Sequence, residues 1–327
     1  MPDILVVATA PEGTLSRSSL ELVAGAHAIC GPLGLGVTAV LLGTGPGLVN
    51  APQALHQHGV ARVLRVDHPL LTAGESDAYL RAIEQVARTE RPEVVLISAD
   101  TMGRDLAVRL AWRLGAALVT ECFELTSDNG AVVARRQVYG GRAVASMAVT
   151  RRPAVFSMKP RSLDAPAPSP VAGTVEDLTV ELEPGDLPTR VREVLREQSD
   201  VGLEDAQVVI GGGRGIGGPE GFAQLGELAS ALGGAVGASR PPADSGWVPL
   251  SWQVGQTGKT IRPALYVAVG ISGATQHVAG VSGSRMIVAI NRDPEAPIFS
   301  VAHLGIVADF REIVPPLIAK VKELRGL

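Results

Sequence analysis

Gln207-Val208-Val209-Ile210-Gly211-Gly212-Gly213-Arg214-Gly215-Ile216-Gly217-Gly218-Pro219, followed by a helical pattern to Leu232, sets the fold class. A short apolar run, a glycine cluster and a helix, in that order, form a strand–turn–helix unit of an α/β sheet. Gly213-Arg214-Gly215-Ile216-Gly217-Gly218 fits G-x-G-x-x-G, whose glycines let backbone N–H groups approach a pyrophosphate at a positive helix end. Taken alone, the pattern also fits a sharp turn with no ligand. A NAD site would add an acidic residue about 20 positions on, at the end of the next strand. Here that strand, Ala235–Ala238, ends in Ser239-Arg240. An anionic or electron-rich ligand is favoured and a standard NAD site is not.

Downstream, the α/β rhythm continues with strands expected at Leu265–Val269, Met286–Ile290 and Ile298–Val301. Gln253-Val254-Gly255-Gln256-Thr257-Gly258-Lys259-Thr260 ends like a Walker A loop, but Gln253 stands where its first glycine is required. The phosphate cradle depends on that backbone turn, so ATP hydrolysis is set aside. What remains is a run of amide and hydroxyl donors, which suits a flat heterocycle of alternating nitrogen and carbonyl positions. Gly270-Ile271-Ser272-Gly273-Ala274-Thr275-Gln276-His277 places small residues at a strand-to-helix turn, as backbone contact to phosphate would need. His277 follows about one helical turn on. A lone histidine is often structural, but this one stands among donors. Asn291 and Asp309 read either as turn formers or as ligand contacts, since ligands bind where the strands of an open sheet stop.

Upstream, strands are expected at Asp3–Ala8, Val37–Leu42, Ala61–Val66 and Glu93–Ser98, with helices at Ser18–Cys30, Ala51–His58, Glu75–Glu90 and Gly103–Leu114. Continuous apolar strands joined through helices imply a parallel sheet covered on both faces. Gly115 reads as a helix C-cap. From Leu118 the rhythm changes to successive strands, Leu118–Leu125, Ala131–Val138, Ala143–Thr150 and Ala154–Phe156, with Asp128-Asn129-Gly130 as a turn. Arg161–Pro170 reads as an extended excursion, Val175–Glu183 as a further strand and Thr189–Glu197 as a helix. Pro184 to Pro188 punctuate the chain. The fold class is therefore α/β with two domains, residues 1–188 and 189–327, each built on a mainly parallel sheet covered by helices.

The bulk composition agrees. In 327 residues, 46% are hydrophobic and 19% charged, with 38 glycines, enough to bury two cores. A net charge of −4 gives no electrostatic reason to expect nucleic-acid binding. Two cysteines, Cys30 and Cys122, lie far apart, which points away from a zinc or disulfide framework and towards a cytoplasmic protein. The apolar run at Ile4–Ala8 reads as a first strand and not as a signal peptide. No apolar run approaches the roughly 18 residues of a membrane span.

Four segments together resemble the α subunit of electron-transfer flavoprotein. Leu265–Gly280 (LYVAVGISGATQHVAG) is similar to the family signature, and AVGASR, VGQTGK and AINRDPEAPIF occur in the family's order and spacing. The strong match covers Gln207–Phe310; in the first domain Ala99–Asp105 is the best part. The resemblance implies FAD on the second domain and a β subunit completing a heterodimer through contacts that include the first domain. It further implies electrons taken from acyl-CoA and related dehydrogenases, as in fatty-acid β-oxidation, and passed to a membrane quinone oxidoreductase. Carried over by position, cofactor contacts fall on Arg214, Ser239, Arg240, Val254, Gly255, Gln256, Thr257, Ser272, Gly273, Ala274, Thr275, Gln276, His277, Asn291, Asp309 and Phe310. Within that set, Thr257 would hydrogen-bond near flavin N5 and His277 would donate toward the pyrimidine carbonyl. Arg240 would add positive charge favouring a one-electron-reduced anionic flavin, or else form a surface ion pair. Ser272 with the amides after it would hold phosphate, and Asn291 and Asp309 the adenosine half. Where relatives read V-A-D-Y-G, this chain has Val301-Ala302-His303-Leu304-Gly305, which puts contacts from that turn in doubt.

Three functions compete. An electron carrier is favoured over a flavin- or NAD-dependent oxidoreductase acting directly on a small molecule, since no second acid–base constellation accompanies the cofactor motifs. His56, His58 and His68 read as surface or helix-end residues. A nucleotide sensor without redox chemistry would be colourless when purified, so a visible spectrum separates it from the other two.

Overall fold

Val94–Ser98 is buried at every position, and such continuous burial occurs where a parallel strand is covered on both faces. In the computed structural model, which describes residues 3–10, 15–72, 75–141, 143–193, 202–204 and 206–326, it is a central strand of the first of two compact units. The units are Met1–Leu195 and Arg196–Leu327.

The first unit runs β1 (Asp3–Ala10), α1 (Arg17–Leu33), β2 (Gly36–Gly43), α2 (Ala51–Gln57), β3 (Arg62–Asp67), α3 (Ser76–Glu90), β4 (Val94–Ser98), α4 (Thr101–Leu114), β5 (Ala117–Asp128), β6 (Ala131–Val138), β7 (Ala143–Val149), β8 (Ala154–Met158) and β9 (Thr174–Asp177). Its strands order as β7-β6-β5-β8-β4-β1-β2-β3-β9. They pair in parallel except for β5 with β6 and β6 with β7. Alternation along β1 explains the double cover. Ile4, Val6 and Ala8 pack with Leu22, Val23, Ala26 and Ile29 of α1. Leu5 and Val7 pack on the other face with Tyr79, Ile83 and Val86 of α3 and Leu106 and Leu110 of α4. Asp100 caps α4 by accepting from Gly103 N–H at 2.8 Å, and Gly115 ends it in the left-handed conformation, φ 61°.

The second unit runs β10 (Val208–Gly212), α5 (Pro219–Leu232), β11 (Ala235–Ala238), α6 (Arg240–Asp244), β12 (Leu265–Val269), α7 (Thr275–Val281), β13 (Met286–Asn291), β14 (Leu304–Val307) and α8 (Phe310–Arg325). The order β11-β10-β12-β13-β14 is parallel throughout. From β10 the chain first steps to β11, then returns to the other side as β12. The carboxyl ends of β10 and β12 therefore form a topological switch point, where open α/β sheets leave a crevice. Both faces are covered here too: Ile210 packs with Leu225 and Leu228 of α5 and Val314 of α8, and Val209 packs with Val254, Ile261 and Val281.

Three expectations are corrected. Ile298–Val301 is not a strand: Pro297–Ser300 forms a 3₁₀ turn, with proline at its start and Ile298 N–H donating to Ser272 O at 3.0 Å. The fifth strand is Leu304–Val307, a short edge strand with three of its four residues exposed. The strand expected over Val175–Glu183 is only Thr174–Asp177; beyond it Val180 and Leu182 enter the core from irregular chain. In the segment read as a helix from Thr189, residues 189–193 are irregular, with Thr189 donating to Asp77 and Val191 N–H to Glu75; the rest lies outside the described residues. Among the described residues no helix is long and apolar enough to cross a membrane.

Candidate functional site

Glycine is needed where two strand-to-helix turns meet at the switch point. Gly213 N–H donates to Val269 O at 2.9 Å and Gly215 N–H to Gly270 O at 3.0 Å. A Cβ on Gly213 would stand 2.1 Å from Gly270 O, so no other residue lets the turns approach this closely. Between β10 and α5 the chain makes a 3₁₀ turn at Arg214–Ile216. Only Arg214 and Gly215 of that cluster face the site; a Cβ on Gly221 would lie 1.9 Å from Ile216 Cγ2, so the later glycines serve turn and helix packing.

The site is a cleft of about 820 Å³, within the roughly 300–1,000 Å³ of sites that enclose ligands. It gathers residues from all four segments that the sequence singled out. Arg214, Ser239, Arg240, Val254, Gly255, Gln256, Thr257, Ser272, Ala274, Gln276, His277 and Asn291 line it. Asp309 and Phe310 wall a small side recess that shares Gly215, Gly270, Asn291 and Arg292 with the cleft. Gly273 and Thr275 are not in the lining; Gly273 is buried in the turn and Thr275 is exposed. Sequence reasoning missed Arg292, which flanks Asn291 at a strand end, and Asp244, four residues after Arg240. It treated Gln253 only as a missing glycine. The lining holds three guanidinium groups (Arg214, Arg240, Arg292) against two carboxylates (Asp244, Asp293), an excess of one positive charge.

Local bonds fix how these groups are presented. Arg240 Nε donates to Asp244 Oδ2 at 3.1 Å, both side chains being more than half exposed, so Arg240 is at once cleft residue and ion-pair partner. Asn291 Nδ2 donates to Ile271 O at 2.9 Å and its Oδ1 accepts from Asp293 N–H at 3.1 Å, tying two turns together. Asp309 caps α8 by accepting from Arg311 N–H at 2.9 Å. Gln256 N–H donates to Gln276 O at 2.8 Å, holding the 253–259 loop against α7.

His277 lines the cleft, and its ring nitrogens are engaged by the protein itself. Its ring is 5% exposed, with Nδ1 3.0 Å from Val254 O and Nε2 2.9 Å from Tyr266 Oη. A carbonyl only accepts, so Nδ1 carries the proton; Nε2 must then accept from the Tyr266 hydroxyl. Desolvation pushes the imidazole down to about 4 and raises the fully buried Tyr266 phenol, so both are neutral. Neither ring nitrogen is free to donate into the cleft. Tyr266 was missed because it sits in an apolar strand and reads as core. His56, His58 and His68 fasten turns, through Val60 O, Pro166 O and Leu70 N–H respectively. Among the described residues no cluster of His, Cys, Asp or Glu could hold a metal ion.

A parallel sheet with a donor-rich, positively charged cleft at its switch point defines a dinucleotide-binding α/β unit. The chain belongs to the electron-transfer flavoprotein family. The profile of the electron transfer flavoprotein domain matches residues 4–183, and that of the electron transfer flavoprotein FAD-binding domain matches 202–282. The cofactor is FAD, and the family role is that of an electron carrier rather than a substrate-transforming enzyme. Among relatives, the electron transfer flavoprotein subunit alpha of Thermoanaerobacterium thermosaccharolyticum is 40% identical, covering 99% of this chain and 98% of the relative. The protein of the same description from Bacillus subtilis is 37% identical, covering 98% of each chain. Protein FixB of Clostridium saccharobutylicum is 39% identical, covering 98% of this chain and 96% of its own.

The residues present fit FAD. The first-turn N–H groups of α7 have no intrahelical partner, the guanidinium excess suits a pyrophosphate, and the 253–257 loop offers amide and hydroxyl groups to a polar heterocycle.

Proposed function

We propose that the chain is the FAD-holding subunit of a heterodimeric electron carrier, completed by a β-type subunit. In this reading it takes electrons from acyl-CoA and related dehydrogenases in the cytoplasm and passes them to a membrane quinone oxidoreductase. The observation that carries the reading is the convergence of four separated family segments on one cleft. Two of the relatives named above are themselves described as subunit alpha, which supports a second subunit.

Bound FAD supplies the one-electron chemistry. The chain's residues bind and tune it. Arg214, Ser272 and the amides around Ala274 hold the pyrophosphate; Asn291, Asp309 and Phe310 shape the adenosine end. Val254, Gly255, Gln256 and Thr257 face the ring, with Ser239 beside them. Thr257 offers its hydroxyl near N5. Arg240 brings positive charge to the redox-active end, and residues 1–195 carry contacts to the partner.

Co-expression with a β-type subunit is expected to give a yellow heterodimer that an acyl-CoA dehydrogenase reduces in the presence of its substrate. Steady turnover of a small molecule by the isolated protein would sink the carrier reading. Arg240→Ala is expected to lower the potential for the first electron by about 60 mV, equivalent to a tenfold change in the one-electron equilibrium. Spectroelectrochemical titration measures it, and an unchanged potential removes Arg240 from the tuning set.

A further inference from the structure

We propose that Gln253 is a positioning residue that locks the Thr257 hydroxyl as a hydrogen-bond donor into the cleft. The inference rests on the reading of the cleft as the FAD site. Its starting point is one bond: Gln253 Nε2 donates to Thr257 Oγ1 at 2.9 Å. An amide NH₂ has no lone pair to offer, so Thr257 cannot donate back to it. The hydroxyl oxygen is used as an acceptor, and its single hydrogen must be directed elsewhere. Thr257 and Gln253 both line the cleft, which leaves a ligand acceptor as the partner of that hydrogen once the cleft is filled.

The rest of Gln253 is built to hold this geometry. The residue is 9% exposed. Its N–H donates to Leu250 O at 3.0 Å, its carbonyl accepts from Lys259 N–H at 2.8 Å, and it bridges to Ala238 at the end of β11. Gly258 makes the turn close enough: a Cβ there would stand 2.4 Å from Gln253 O and 2.9 Å from its Cγ. A hydroxyl left to itself rotates to suit whichever partner it meets. One fixed as donor discriminates between redox states of the ring it faces. It favours states in which the facing ring atom gains electron density and disfavours those in which that atom carries a proton.

The test is a double-mutant cycle on the FAD-loaded heterodimer, reading FAD affinity by fluorescence and the potential for the first electron. Gln253→Met keeps the volume and removes the donor; Thr257→Val removes the hydroxyl; Thr257→Ser keeps it. Thr257→Val is expected to lower the one-electron equilibrium about tenfold. Gln253→Met is expected to lower it about threefold in the parent and in the Thr257→Ser background, and not at all in the Thr257→Val background. Gln253→Glu serves as the nearly isosteric second variant. Its carboxylate accepts from the hydroxyl and turns the hydrogen away, so its effect is expected to shrink in the Thr257→Val background, leaving only the direct influence of the added charge. Equal effects of Gln253 substitutions with and without the hydroxyl overturn the proposal while leaving the FAD site intact. Protein that binds no FAD in any form overturns both.

Discussion

Gly273→Ala is expected to cost the second unit about 4 kcal/mol and to abolish FAD retention. Two independent penalties meet at this position. Gly273 has φ 89°, where an L side chain costs about 1–2 kcal/mol. An added Cβ would also stand 2.2 Å from Ile298 N and 2.6 Å from its Cα. Those are backbone atoms, so no side-chain rotation relieves the clash, and overpacking of this kind costs about 1–3 kcal/mol. Displacing Ile298 breaks its N–H bond to Ser272 O and moves the turn that presents Ser272 and Ala274 to the cleft. Gly226→Ala is the control: it lies within α5, has no atom near its Cβ position, and should stabilise by about 0.5–1 kcal/mol. Urea unfolding and FAD fluorescence measure both. A Gly273→Ala protein as stable as its parent would show that the turn can shift without loss.

Gly273 also shows how the sequence carries a site. The G-I-S-G-A-T-Q-H run was legible as a ligand turn because only small residues permit backbone approach. The run says nothing, however, about which glycine faces ligand and which makes room for protein. Gly213 meets Gly270, and Gly273 meets Ile298 in the turn beyond β13, contacts that exist only once β10, β12 and β13 are in register. The parallel strands were legible from their continuous apolar runs, Val94–Ser98 and Leu265–Val269 above all. The edge strand Leu304-Gly305-Ile306-Val307 was not: it is four residues long with a glycine inside, too short a run to stand out. The nearby Ile298-Phe299-Ser300-Val301 has the apolar pattern but begins after Pro297, which favours a turn. Side-chain roles were the least legible. Arg240 and Thr257 line the cleft, whereas the residues bonded to them, Asp244 and Gln253, stand outside the motifs. His277 belongs to the same class, since burial decides its protonation and the Val254 carbonyl its tautomer, and no motif records either.

Acid should therefore destabilise the second unit through His277, and His277→Gln should remove that sensitivity. The folded imidazole sits at about 4, below its ordinary 6.5, because burial disfavours the cation. An unfolded chain binds this proton more readily than the folded one between those two values. The stabilising contribution is thus fully present above pH 6.5 and is lost as pH falls from about 6.5 to about 4. Across the steepest part of that window the slope approaches about 1.4 kcal/mol per pH unit, for a total of about 3 kcal/mol. Protonation also turns Nε2 from acceptor to donor toward the Tyr266 hydroxyl, which is fully buried and would need a new acceptor for its own hydrogen. Glutamine does not titrate, and its amide, on a longer and more flexible stem, holds the contacts to Val254 O and Tyr266 Oη less firmly than the ring. His277→Gln is therefore expected to be about 1–3 kcal/mol less stable at pH 7.5 yet to show a flatter decline below pH 6.5. Urea unfolding at half-unit steps from pH 7.5 to 4.5, followed by FAD fluorescence, gives the two slopes. Parallel curves for the two proteins would mean that the imidazole does not stay neutral in the fold.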